Sequence, residues 1–533
     1  MKYLPLLILL FTCKITLYGQ VKVKYKNKKS NINISSIDIA KFKANGFVHY
    51  SDFGAIGDGK TDDINNISAT HKFANKHNLT VKADDGATYY ISGKKQPINI
   101  LTDTDFGTAN FIIDDTEVKD IKSSIFLVSS KQKRFKIEGI SSLKKNQKKI
   151  KANLPKNCLV TIKNSNIKRY IRYGANKNNG ASQTDILLVD KNGNIDINTP
   201  VIWNFDKITK ITALPIDEKP LKITGGCFTT IANKAPSKYT YYSRNIIIKR
   251  SNVIVDGLEH KIIGEGSHGA PYAGFISIRD CANVTVKNTV LSGHKKYVTI
   301  NSNGKRSSMG SYDILITRAV NISFINCTQT NDINDKKYWG IMGANYCKNL
   351  IYDNCTLSRF DAHMGVANAT IQNSTLGHMG ISVIGTGILT IKNSTIYGNN
   401  LVNLRSDYGS TWQGDIIIND VIFSPSKRKS NNINLIGGEN YGRHNFGYTC
   451  YMPKRITIEN LYIDDSKYPK NYEGINIFSD FNPKISNLFF DEKFHYITTK
   501  KVFLKNVTTA SGKPLNVSDN KTMFKKVKIK YRK

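Results

Sequence analysis

The chain of 533 residues carries 77 Lys and Arg against 41 Asp and Glu, a formal charge of +36. An excess of this size must meet something anionic or be a cost in self-repulsion. The candidate partners are therefore nucleic acid, acidic lipid and acidic polysaccharide, with a basic surface kept for solubility as the alternative.

At the N-terminus, "MKYLPLLILLFTCKITLYGQ" joins an early lysine to an apolar run from Tyr3 to Phe11, with small or polar residues near Gly19. This is the layout of a secretory signal peptide, and the run is too short to span a bilayer. Residues 1–20 are predicted to be removed and the product to be secreted or periplasmic. Cys13 offers a lipoprotein alternative, but Phe11 and Thr12 before it fit a lipid-attachment box poorly. No later segment is apolar enough for a membrane span. Losing Lys2 and Lys14 leaves +34, and losing Cys13 leaves seven of eight cysteines, an odd number that does not suggest a disulfide scaffold. Export argues against nucleic acid, and lysines scattered along the chain argue against one interfacial helix. An anionic polysaccharide is the expected partner and a monomer the expected state.

Residues 21–45 are lysine-rich and poor in pattern, and read as a mobile leader. A single domain is expected over 46–525. Within it, "TDDINNISATHKFANKHN" (61–78) has a candidate N-cap at Thr61 or Asp62, acidic residues in the first turn, and Ile64, Ile67, Phe73 and Ala74 near one face. From residue 253 one phrase recurs: "VIVDG", "VTVKN", "ISFIN", "LIYDN", "ATIQN", "LTIKN", "IIIND", "ITIEN", "VFLKN". Leu389 and Ile391 alternate with Thr390 and Lys392, the period of a strand with one buried face. The closing Asn tolerates the left-handed conformation of a sharp turn, and its amide can bond its counterpart in the next repeat. The spacing is variable and tightest around residues 354–393, which means one rung per turn of a solenoid with loops inserted on some rungs. The segment 61–78 would then be the helix that covers the solenoid's open end. Cys327 and Cys355 follow the turn Asn where Thr289, Ser374 and Ser394 sit in other rungs, and read as stacked interior thiols.

The opening segment "YSDFGAIGDGKTDD" (50–63), a strand followed by a turn at Gly54, Gly57 and Gly59, closely resembles the start of the pectate-lyase-like superfamily. That superfamily contains secreted polysaccharide lyases, polygalacturonase-type hydrolases and phage tailspikes. With its rungs the resemblance covers roughly 46–510, least clearly 100–245. It implies an all-β, single-stranded right-handed parallel β-helix with an N-terminal cap helix, but no particular chemistry.

Aligning the rungs on the turn Asn brings His294, Arg359, His378 and Asn399 to similar points in their coils. His363, in "FDAHMG", then lies opposite Val383 and the Asn403–Arg405 stretch. With rungs about 4.8 Å apart, His363 and Arg405 should lie roughly 10 Å apart along one face. The loop "NLRSDYGSTWQGD" adds Asn403, Asp407, Tyr408, Trp412, Gln413 and Asp415. Eliminating across a uronate needs a base for the proton alpha to the carboxylate, a cation for the resulting anion and an acid for the departing oxygen. His363, Arg405 and Tyr408 match these roles in type. Arg359, Asn403, Trp412, His378 and His294 are the expected substrate contacts, Trp412 by stacking on a sugar ring. The charge favours a sulfated, glycosaminoglycan-type substrate such as chondroitin or dermatan sulfate. Hydrolysis would instead use two carboxyl groups, drawn from Asp361, Asp407 and Asp415, but the Asn-Thr-Asp and Gly-His-Gly segments of the polygalacturonase-type members are missing. A non-catalytic glycan-binding β-helix is the third reading. Asp361 and Asp407 are the candidate ligands for calcium, although no dense acidic loop marks a site.

Overall fold

The computed structural model describes residues 35–174, 177–301, 303–426, 433–469, 471–486 and 491–531. The predicted signal peptide and residues 21–34 of the leader lie outside them. The rung phrases stack in parallel: Val253 pairs with Val284, then Ile322, Leu350, Ala369, Leu389, Ile416, Ile456 and Val502. Every residue of this row is buried. Each inward side chain therefore rests on a similar one in the coil before it, and full burial of such a side chain contributes about 1.5–3 kcal/mol.

The corner residue of each rung is left-handed, as at Asn288 (φ 50°), Asn326 (53°), Asn354 (52°) and Asn373 (52°). Asn326 Nδ2 donates to Asn288 Oδ1 at 3.1 Å, and Asn354 Nδ2 to Asn326 Oδ1 at 2.8 Å. A second ladder, Asn252–Asn283–Asn321–Asn349–Asn368, runs along another corner. Thr289, Cys327, Cys355, Ser374 and Ser394 are buried beside the first ladder, and the seven cysteines of the described residues are free thiols.

Two helices precede the rungs. The first, α1 (Ser36–Asn45), falls inside the predicted leader. Its start is fixed by a capping box in which Ser35 and Asp38 exchange hydrogen bonds, and Gly46 ends it in the left-handed conformation. Phe42 anchors it against Phe53 and Phe73. The cap and this aromatic contact thus accompany a helix in a segment whose composition reads as patternless. The second, α2 (Ile64–His77), begins one or two residues later than expected, because Asp58–Asp62 is a strand. Asp63 instead accepts from the N–H groups of Ile56 and Gly57, which holds the glycine turn closed. Ile64, Ile67 and Ala74 of α2 join the same core as the rungs.

Between the strands Phe126–Val128 and Leu221–Ile231 the chain leaves the coil. Consecutive coils still touch directly across this gap, with Phe126 paired to Ile246 and Phe111 to Phe228. The excursion forms a four-stranded antiparallel sheet in the order Ala181–Val189, Cys158–Arg169, Lys210–Pro215, Phe135–Lys136. It has its own core of Leu143, Val160, Ile162, Leu187, Phe205 and neighbours. A buried ion pair from Lys348 Nζ to Asp185 Oδ1 (2.7 Å) joins it to the rungs. The turn that follows Arg169 continues onto the coil, where Ile171 N–H donates to Phe446 O and Tyr173 N–H to Asp407 O. No helix among the described residues is long and apolar enough to cross a membrane.

Candidate active site

Three successive coils meet where this turn lands. Asp361 pairs with Ser382 and Ser382 with Asn403; Ala362 pairs with Val383 and Val383 with Leu404. The expected register is thus wrong by one residue, since Ala362 and not His363 lies opposite Val383. A one-residue slip exchanges the two faces of a strand. Asp361 consequently shares the row of Ser382 and Asn403, while Ala362, Val383 and Leu404 fill the core.

Asp361 is fully buried beneath two arginines. Arg359 Nη2 reaches it at 2.7 Å and Arg405 Nη1 at 3.2 Å. Arg405 also holds Asp407 through Nη2 at 3.1 Å, and Arg172, from the inserted hairpin, holds Asp407 at 3.2 Å. Burial works against the charge on Arg405, but Asp361 and Asp407 outweigh it and keep the guanidinium ionised. Burial likewise opposes the Asp407 charge, and Arg405 brings its carboxyl below the usual range. Arg359, His378, Asn403 and Arg405 line one depression of about 360 Å³, together with Ser382, Asn399, Asn400 and Asp407. Arg359 is scarcely open there: its side chain is 4% exposed, its Nε and Nη1 are buried without hydrogen-bond partners, and its guanidinium lies 5.5 Å over the Trp339 ring. His378 gives Nδ1–H to Ile333 O at 3.0 Å, and burial lowers its pKa.

His363 is half-buried beside this network. Its Nδ1 lies 2.9 Å from Asn345 Oδ1. An amide oxygen only accepts, so the proton sits on Nδ1 and Nε2 carries the lone pair. Burial and then the Arg405 charge push the imidazole pKa down to about 4. The Tyr408 ring stands nearly perpendicular to it, centroids 5.5 Å apart, and burial raises the phenol pKa. At neutral pH the group is an uncharged imidazole, a protonated phenol and a charged guanidinium.

Two expected contacts are elsewhere. Trp412 is fully buried, its Nε1 donating to Gly387 O and Asp415 O, so it cannot stack on a sugar. It opens the strand Trp412–Pro425 opposite Gly385, and the space over that glycine draws the ring inward. His294 is 1% exposed and bridges Glu265 (2.9 Å) and Asp313 (3.3 Å), with His260 on the same Asp313 oxygen at 2.7 Å. Burial disfavours its charge, but the two carboxylates prevail and push the pKa up to about 10. It is an interior cation, not a surface ligand. Asp415 pairs with Arg455. Asp361 and Asp407, the candidate calcium ligands, already give their oxygens to guanidinium groups. Among the described residues no group of three or more His, Cys, Asp or Glu is arranged to hold a metal ion, so these residues do not fit calcium. The sequence reading missed Arg172 and Asn345. Arg172 lies in the region where the rung pattern is least clear, and Asn345 looks like any other turn asparagine.

No family model matches the sequence, and no curated protein matches it. Solved structures with a similar fold include the tailspike gp61 of Pseudomonas phage phi297, at TM-score 0.52 and 12% identity over 87% of this chain and 80% of that one. Another is the gp54 tailspike of Acinetobacter baumannii bacteriophage AP22, in complex with A. baumannii capsular saccharide, at TM-score 0.50 and 10% identity over 92% and 80%. Likeness at this identity speaks to fold. The chain is an all-β, right-handed parallel β-helix.

Proposed function

We propose that this protein is a secreted, monomeric member of the pectate-lyase-like superfamily that cleaves a uronate-containing anionic polysaccharide by β-elimination. The observation that carries the reading is His363: an imidazole kept neutral, with Nδ1–H committed to Asn345 Oδ1 and a lone pair on Nε2, beside the Arg405 guanidinium. In the proposed reaction Nε2 takes the proton alpha to the uronate carboxylate. Arg405, 18% exposed, neutralises the charge that develops on that carboxylate. The C4–O bond breaks as the C4–C5 double bond forms, and the Tyr408 phenol protonates the departing oxygen. The sugar thus loses one proton to His363 and its 4-oxygen gains one from Tyr408.

The net charge of +36 favours an anionic polymer, and a β-helix of similar fold is known in complex with a capsular saccharide. Hydrolysis is disfavoured because it needs one carboxyl group protonated, and Asp361, Asp407 and Asp415 are each paired with arginine. The test is incubation with pectate, alginate, hyaluronan, chondroitin sulfate and dermatan sulfate, following near-ultraviolet absorbance and chain length together. The reading predicts both signals with one class of uronate polymer and neither signal with His363→Ala. Shortened chains without the absorbance would support the hydrolase instead, and unshortened but bound chains an adhesin.

A further inference from the structure

A second depression, about 390 Å³, lies at the seam between the antiparallel insertion and the rungs. This is within the roughly 300–1,000 Å³ typical of ligand sites. Lys145, Arg169, Tyr170 and Trp203 come from the insertion, and Gln413 and Tyr448 from the rungs. Neither the rung pattern nor the proposed chemistry uses it.

Its cations differ from the most deeply buried ones of this molecule. Arg244, Lys348, Arg359 and Arg405 are buried or partly buried, and each is paired with an aspartate. Lys145 and Arg169 are half-buried, and burial lowers the pKa of both. Among the described residues neither forms an ion pair. Lys145 Nζ is held only by the neutral Gln413 Oε1 at 3.0 Å. Arg169 donates Nη1–H to Gly447 O, while its Nε is buried with no hydrogen-bond partner. The one carboxylate in the lining, Asp206, is exposed and forms no ion pair with either, although its charge supports that of Arg169. Two partly desolvated cations with no ion-pair partner among the described residues are a cost to the fold that an anionic ligand would offset.

The aromatic groups give the ligand a shape. Trp203 is half-buried, with the Arg169 guanidinium 4.8 Å from its ring and Tyr448 at 6.2 Å. Tyr170 stands over Gly365, where an added Cβ would come within 2.6 Å of its hydroxyl. Gly365 is two residues beyond His363 on one strand, about 7 Å along it, and the Tyr170 and Tyr408 rings are 6.4 Å apart. The seam therefore adjoins the proposed reaction centre.

We propose that the seam is a second subsite for an acidic sugar, in which the aromatic faces of Trp203 and Tyr448 carry the ring and Lys145 with Arg169 take its carboxylate. It rests on the glycan-processing reading and adds that the enzyme holds a uronate on the insertion side of the bond it breaks. The test measures binding of galacturonate, mannuronate and hyaluronan hexamers to the full-length His363→Ala protein by calorimetry. A carboxyl-reduced galacturonate hexamer is the neutral control. At least one acidic hexamer should bind, the control at least tenfold more weakly. Lys145→Gln and Arg169→Gln should each weaken acidic binding about tenfold, with Trp203→Phe far milder than Trp203→Ala. On the His363 background, turnover from the same substitutions should show the loss in KM rather than kcat. Equal binding of acidic and reduced hexamers, binding of none, or unaltered affinity in both charge variants would overturn the subsite. Charge-dependent binding without cleavage of any polymer would defeat the lyase reading and leave the subsite standing; cleavage with unaltered affinity in both variants would do the reverse.

Discussion

Replacing Asp361 by Asn keeps the shape of the side chain and removes its charge. The wild-type carboxylate is fully buried and serves Arg359 at 2.7 Å and Arg405 at 3.2 Å. Arg405 keeps Asp407 and is 18% exposed, so its share of the loss is small. Among the described residues Arg359 has no other carboxylate, is 4% exposed, and already leaves Nε and Nη1 without hydrogen-bond partners. An uncompensated buried charge of this kind costs about 3–5 kcal/mol. Urea unfolding followed by circular dichroism should show the midpoint falling by that energy divided by the slope, with the slope itself unchanged, after long equilibration because distant parallel pairings form slowly. The double variant Arg359→Met with Asp361→Asn removes the stranded cation as well, and should recover more than half of the loss. A single-variant loss below about 1 kcal/mol, the size of a surface pair, or a double variant no better than the single, would refute the idea that Asp361 anchors the arginine pair.

Trp412→Ala should cost about 3–5 kcal/mol in the same assay by emptying a core position, with polymer affinity left intact at temperatures where the variant is folded; lost affinity in a stable protein would return Trp412 to the surface. The histidines should move stability with pH in separate windows. The folded-state pKa of His363 is lowered to about 4; the unfolded chain takes up a proton near 6.5 that the folded one refuses, so its contribution falls as pH drops from about 6.5 to about 4. The pKa of His294 is raised to about 10; its contribution is full below about 6.5 and is lost as pH rises through about 10. Urea midpoints against pH, compared with His363→Asn and His294→Asn, check both signs. A turnover profile that falls only below about pH 4 is expected if His363 is the base; a midpoint near 6.5 would contradict the depressed value.

The rungs were legible because one physical requirement repeats: an inward β-branched or aliphatic row closed by a residue that accepts positive φ. Val253 through Val502 stack in the register the phrases suggest. The inserted sheet was not legible, because Cys158–Arg169 alternates with the same period as a rung and period two does not distinguish parallel from antiparallel partners. At the site, the sequence brought His363, Arg405 and Tyr408 to one neighbourhood but misjudged the register by one, since irregularities between Ala362 and Val366 and between Ala367 and Ala369 leave the pairing one residue out of step with the turn Asn. Trp412 and His294 were misread for a related reason. Residue type suggests a sugar platform or a surface imidazole, whereas facing is decided by the space over Gly385 and by the distant carboxylates Glu265 and Asp313.

The most direct measurement is the reaction itself. Purified protein mixed with each uronate polymer should shorten one class of them with a matching rise in near-ultraviolet absorbance, and His363→Ala should do neither while still binding that polymer. Chain shortening that survives the loss of this imidazole, or new reducing ends formed without absorbance, would contradict elimination by His363.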